Sequence, residues 1–222
     1  MTTTAPRTAV PRPNRGLDYD PDQACRHLAA ADPVLAEVIG RTGACILRPP
    51  WGRSLFDALM RSIVYQQLSG KAADTILSRV VALYAPAPTP EPAALLATDD
   101  AVLRSAGLSR NKTAALKDLA RHALDGTIPT LAEARALSDD ELVDRLTVVR
   151  GIGRWTVEML LIFRLGRPDV LPVDDLGVRK GFQRAYGMRR LPAAVTLTRR
   201  AERWRPYRSV ASWYLWREAE RR

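Results

Sequence analysis

The pair Asp174-Asp175 opens the stretch DDLGVRKGFQRAYG. Twenty residues before Asp175 stands Trp155, directly after the turn Gly151-Ile152-Gly153 and Arg154. A carboxylate can stabilise a developing cation and orient or deprotonate a water. A Gly-x-Gly turn between two helices can expose backbone amides and the positive end of the second helix, which together cradle a phosphate. Arg154 adds charge beside that cradle, and an indole offers an electron-rich face to a cationic ring. Each feature also has a plainer reading. Aspartates that precede a helix cap it, and local sequence alone favours that role for both. Gly-x-Gly is equally an ordinary interhelical turn, and tryptophan is commonly core.

The elements that must position these residues are helical. No period-two run flanked by hairpin turns is present, whereas apolar residues recur at helical spacing throughout. One or two short helices precede Gly40 or Gly43. Ser54 caps a helix carrying Leu55, Leu59, Ile63 and Val64, and Ser69-Gly70 divides it from the next. PAPTPEP is a connector, DDAVLRSAGL a short helix, and Ser109 caps a helix that Gly126 ends. Ser138 and Glu141 form a capping box ahead of the turn, and a helix over about 154–165 follows it. A helix closed by Gly187 and two more split near Pro206 complete the chain. The expected fold class is all-α, with nine or ten helices and short connections.

The bulk numbers exclude some classes of function. The 222 residues are 46% hydrophobic, enough for a real core, and carry a net charge of +10 with pI near 10.3. Such a surface attracts polyanions, nucleic acid first and an acidic membrane second, although an Ala- and Arg-rich composition raises pI without any partner. Two cysteines, Cys25 and Cys45, and two histidines, His27 and His122, are too few for a four-thiolate or side-chain metal site. No segment is long and apolar enough to span a bilayer, and MTTTAPRTAVPRPNRG lacks the apolar core of a secretory signal. Residues 1–16 read as a disordered basic arm, and a reduced cytoplasmic setting is expected.

LTVVRGIGRWTVEM resembles the helix–hairpin–helix element of DNA repair proteins, Leu-x-x-Val-x-Gly-Ile-Gly-x-x-Thr. LGRPDVLPVDD supplies the connector and aspartate that follow it in that superfamily. SIVYQQLSGKAADTI, AGLSRNKTAALKDLARHALDGTIP and AERWRPYRSVASWYLW extend the likeness to the 3-methyladenine DNA glycosylase II family of AlkA and Mag type, over about residues 17–218. The resemblance implies a compact all-helical domain over 17–222: two interleaved subdomains with a cleft between them, the hairpin motif at about 138–165, and no N-terminal β-domain. It implies a glycosylase that flips alkylated bases such as 3-methyladenine out of double-stranded DNA and hydrolyses their N-glycosidic bond.

By the same resemblance Asp175 is the catalytic carboxylate and Asp174 a supporting cap. Trp155, Met159 and Trp216 line the base pocket, Met159 standing where AlkA has a tyrosine. Trp204 and Trp213 read as core. Trp155 occupies the position of the lysine nucleophile in strand-cutting members, so base excision without strand cleavage is expected. Gln66, Gln67 and Ser69 are candidates for the wedge that fills the vacated base stack. Lys71, Arg110, Lys112, Gly151, Gly153 and Arg154 are candidate phosphate contacts, and the lysines and arginines read equally as solvated charge. Backbone carbonyls of Thr147, Val149 and Ile152 would hold a sodium or potassium ion; no cofactor is required, no iron–sulfur cluster is expected, and a monomer is. A non-catalytic module that binds damaged or bent DNA is the alternative, and Asp175 discriminates, since a binder gains nothing from a carboxylate beside a phosphodiester.

Overall fold

The computed structural model describes residues 17–47 and 54–221. The expected basic arm over 1–16 lies outside the described residues. Among them there are thirteen α-helices, one π-helical turn, one 3-10 turn and no strand.

Helices α3 (Leu55–Tyr65), α4 (Gly70–Ala82), α5 (Pro92–Ala97), α6 (Asp100–Ser105), α7 (Arg110–Leu124), α8 (Leu131–Ala136), α9 (Asp139–Leu146) and α10 (Arg154–Leu160) form a middle subdomain, in which α7 packs on α3, α5 and α6. Helices α1 (Pro21–Ala31), α2 (Pro33–Thr42), α11 (Leu176–Ala185), α12 (Ala194–Ala201) and α13 (Arg208–Glu220) form the second, around the close pair α11 and α13. This second subdomain brings the first described helices against the last ones.

Local chemistry sets most boundaries. Ser54, Thr130 and Ser138 each build a capping box with the acid three residues on. Asp20 and Asp32 cap helices that start with proline. Leu55, Leu59 and Ile63 are 0–1% exposed, so the apolar stripe of α3 is core. Trp204 is fully buried and Trp213 nearly so, as read from the sequence.

Three elements differ from expectation. The six-residue helices α5 and α8 are too short to show a period, and no helix was expected for either stretch. The helix after the hairpin does not continue as α to Leu165: from Leu161 to Leu165 it widens into a π turn that ends at Gly166 with φ 70°.

Candidate active site

The hairpin is built as its residues demand. Helix α9 ends at Leu146 with Thr147 as its C-cap, Gly151 takes φ 81°, and Gly153, extended, is the N-cap of α10. Ile152 between them is 4% exposed and anchors the turn in the core, while both glycines and Arg154 face solvent. Gly153 offers no side chain to cap α10, so that terminus presents backbone donors alone. From behind, Asp118 of α7 accepts the Arg150 amide at 2.8 Å, with its carboxyl held below the usual range despite desolvation by the Arg150 amide and Arg121.

The loop that carries the candidate wedge residues Gln66, Gln67 and Ser69 is fastened to the same turn. Gln66 Nε2 donates to the Gly151 carbonyl at 2.8 Å, and Lys112 Nζ donates to the carbonyls of Val64 and Gln66, each at 2.7 Å. Lys112 is therefore a strut that caps the end of α3, and its ammonium does not reach outward to a phosphate as expected from the sequence. Gln66 likewise is taken up by a backbone carbonyl, that of Gly151 in the hairpin. Gln67 projects instead: it is exposed at φ 58°, a left-handed conformation that costs a non-glycine residue about 1 kcal/mol or more. Leu68 beside it is 39% exposed, and Ser69, Lys71 and Arg110 lie exposed at the starts of α4 and α7.

Asp175 is the N-cap of α11, and its Oδ1 accepts the Val178 amide at 2.7 Å. The same oxygen accepts Trp216 Nε1 at 2.8 Å, and Oδ2 accepts Trp155 Nε1 at 2.8 Å. Trp155 belongs to α10 of the middle subdomain and Trp216 to α13 of the other. The carboxylate thus sits on the seam between subdomains, held by one indole from each. The capping role and the site role coincide in one residue, and Asp174 beside it is exposed and outside this cluster.

The tryptophans do more than the sequence suggests. Trp155 is 49% exposed, so its ring face is open while its N–H orients the carboxylate. Trp216 stacks on Phe163 with centroids 5.4 Å apart and planes at 29°. Phe163, 39% exposed, was missed because it lies in the π turn, whose extra residue breaks the α register that would predict its direction. Met159 is half-buried, packed against the core one turn after Trp155. Gly177 was missed too: a Cβ there would stand 2.7 Å from Trp216 Cδ1 and 3.0 Å from Asp175 Oδ1.

Glu158 is the further group that sequence reasoning missed. It is 8% exposed on α10 and borders a cleft of about 390 Å³ with Arg154 and Val173. Burial pushes its carboxyl up to about 7; Arg154 opposes the shift, and Asp174 and Asp175 add to it. The folded chain therefore holds this proton more tightly than the unfolded one. The stability it contributes is complete below about pH 4.5 and is lost as pH rises through about 7. Glu158→Gln should match the parent in urea unfolding at pH 4.5 and exceed it by about 2 kcal/mol at pH 8, a figure discounted for the adjoining cleft. Equal stabilities at both pH values would refute the buried-acid assignment.

With this geometry in place, the chain can be set beside known proteins. Residues 60–206 match the HhH-GPD superfamily of base excision DNA repair proteins. The chain belongs to that superfamily. Among its relatives, DNA-3-methyladenine glycosylase 1 of Schizosaccharomyces pombe is 39% identical over 165 residues, covering 74% of this chain and 72% of that protein. The structure of that yeast enzyme, Mag1, in complex with abasic DNA superposes with a TM-score of 0.78 at 36% identity, over 88% of this chain and 95% of that one. A DNA-3-methyladenine glycosidase from Bacillus halodurans gives 0.80 at 34% identity, over 89% of each chain. The superfamily match takes in the loop over 66–69, the hairpin and Asp175, and ends ten residues before Trp216.

Proposed function

We propose that this protein is a DNA-3-methyladenine glycosylase that removes alkylated bases from double-stranded DNA by hydrolysis and leaves an abasic site. The observation that carries the reading is the Asp175 carboxylate, gripped by two indoles on the seam beside a hairpin with open amides.

Alkylation of a ring nitrogen makes the base a cationic leaving group. As the bond from C1′ to the base nitrogen breaks, its electron pair neutralises the ring, and the sugar acquires oxocarbenium character. Asp175 stabilises that cation and accepts a hydrogen bond from the attacking water; as the water oxygen bonds to C1′, its proton passes to the Asp175 carboxylate and from there to solvent. Fixed dipoles that already hold the carboxylate spare reorganisation during reaction. The exposed face of Trp155 receives the cationic ring, with Trp216 and Phe163 as a second aromatic wall. Gln67 enters the gap left by the flipped nucleotide, and Leu68 supports it by apolar contact. Gly151, Gly153 and Arg154, with Ser69, Lys71 and Arg110, take the phosphates on either side.

The position of Trp155 offers no amine, so the enzyme releases the base without cutting the strand. It works as a monomer in the cytoplasm. It needs no redox or catalytic cofactor. A sodium or potassium ion suits the hairpin because the carbonyls of Thr147 and Ile152 receive none of the turn's hydrogen bonds; the Val149 carbonyl accepts the Ile152 amide at 3.0 Å and has a lone pair to spare.

Incubation with methylated duplex DNA should release 3-methyladenine and leave strands that break only after hot alkali. Strand breaks without alkali would overturn the purely hydrolytic reading. Binding to abasic DNA with no base release at any pH would favour a non-catalytic binder.

A further inference from the structure

The second subdomain carries a basic, aromatic-floored pocket at the opposite end of α11 from Asp175. Its volume is about 540 Å³, and Phe182, Tyr186, Met188, Arg199, Arg200 and Arg203 line it. Eleven residues of chain from Asp175 to Tyr186, mostly helix, separate the two sites by roughly 16 Å.

The floor is rigid. Phe182 and Tyr186 stack with centroids 4.2 Å apart, and the Tyr186 hydroxyl donates to the buried carboxylate of Asp32 at 2.5 Å. Trp204 Nε1 donates to the same oxygen at 3.1 Å. Arg200 lies over the Tyr186 ring, 4.8 Å from its centroid. Stacking occupies the face of a guanidinium and leaves its edge donors for an oxyanion.

The charge of this pocket is concentrated and unbalanced. Some arginines are neutralised by acids, as Arg41 by Glu218, Arg121 by Asp118, Arg167 by Asp139 and Arg208 by Asp169, while others, such as Arg110 and Arg154 near the cleft, carry no ion pair among the described residues; what sets this pocket apart is that its uncompensated arginines are gathered around one cavity. Between Arg189 and Arg203 five arginines, at 189, 190, 199, 200 and 203, have no carboxylate within ion-pair distance among the described residues. The one acid in that stretch, Glu202, is turned to Arg205 and Arg208. Unpaired arginine forks over a stacked aromatic floor suit the phosphates of a nucleic acid, which supply two oxygens per fork and repeat along a strand.

We propose that the pocket formed by Arg199, Arg200 and Arg203 over Tyr186 is a second DNA phosphate site, which holds a stretch of DNA separate from the one in the Asp175 cleft. The inference rests on the DNA-directed reading of the cleft. A site of this kind would let the enzyme keep hold of one DNA segment while it releases another.

The test uses the full chain with Arg199, Arg200 and Arg203 all changed to Gln, and a second variant with all three changed to Glu. An immobilised undamaged duplex and a free labelled duplex report bridging. The parent should capture the labelled duplex, and both variants should lose at least tenfold of that capture. Affinity for a long undamaged duplex should fall about tenfold in the Gln variant, with a salt slope about 3 shallower, one phosphate per arginine. Single-turnover base release from a short lesion duplex at saturating enzyme should stay within twofold of the parent, which also certifies that the variants fold. Unchanged capture and salt slope would overturn the proposal. Loss of base release in step with affinity would also overturn it, because the arginines would then belong to the cleft's own footprint. A parent that bridges duplexes yet releases no base would sink the glycosylase reading and leave the second site standing.

Discussion

Asp175→Asn should lower single-turnover release of 3-methyladenine by about 10²–10³-fold, the scale for removal of one pre-placed transition-state contact. The substitution is chosen to separate the residue's two jobs. Asparagine caps helices about as well as aspartate, so the Val178 amide keeps its acceptor and unfolding stability should change by less than about 1 kcal/mol. What disappears is the negative charge opposite the sugar. The other oxygen becomes an NH₂ group; with the Val178 and Trp216 bonds kept on Oδ1, it takes the Oδ2 place and Trp155 faces a donor with a donor. Rapid-quench assay of base release alongside urea unfolding checks both halves. A variant that releases base within threefold of the parent would leave Asp175 as a helix cap and remove it from the chemistry.

Gly181→Ala should destabilise the fold by roughly 3 kcal/mol, the upper end for overpacking a core. A Cβ at this position would lie 1.8 Å from the Leu215 carbonyl oxygen and 2.5 Å from its carbon. The obstacle is backbone, so no side chain can turn aside and α11 must move away from α13. Those helices carry Asp175 and Trp216, which leads to a second expectation: the variant that remains folded at low temperature should release base at least tenfold more slowly. Thermal unfolding and single-turnover rates at 15 °C measure the two effects. Parent-like melting would mean that α11 and α13 pack less closely than described.

The same glycine shows what the sequence could convey. Ser54, Ser138 and Asp175 announce helix starts through local chemistry, and the stripe on α3 through its period, so the all-helical class and many boundaries were legible. Gly181 sits in the middle of a good helical pattern, and the reason for it lies on another helix 34 residues away. Lys112 and Gln66 look like solvated charge and a polar helix end; only the tertiary fold shows that both bond to backbone carbonyls. Glu158 reads as an ordinary helical acid until its burial is known. The aspartate and both tryptophans of the site could be named from motif and resemblance. Their mutual arrangement, indole N–H groups turned on the carboxylate, belongs to the packing of the two subdomains.

The bond from Gln66 to the Gly151 carbonyl spans 85 residues of sequence. The two loops it joins are, in effect, one transplantable part. A graft of the hairpin alone into a related scaffold would carry a carbonyl whose partner had been left behind, and a graft of the YQQLS loop alone would carry a glutamine with nothing to donate to. Swapping these loops between members should therefore preserve DNA binding and folding when both are moved together and impair them when either moves singly.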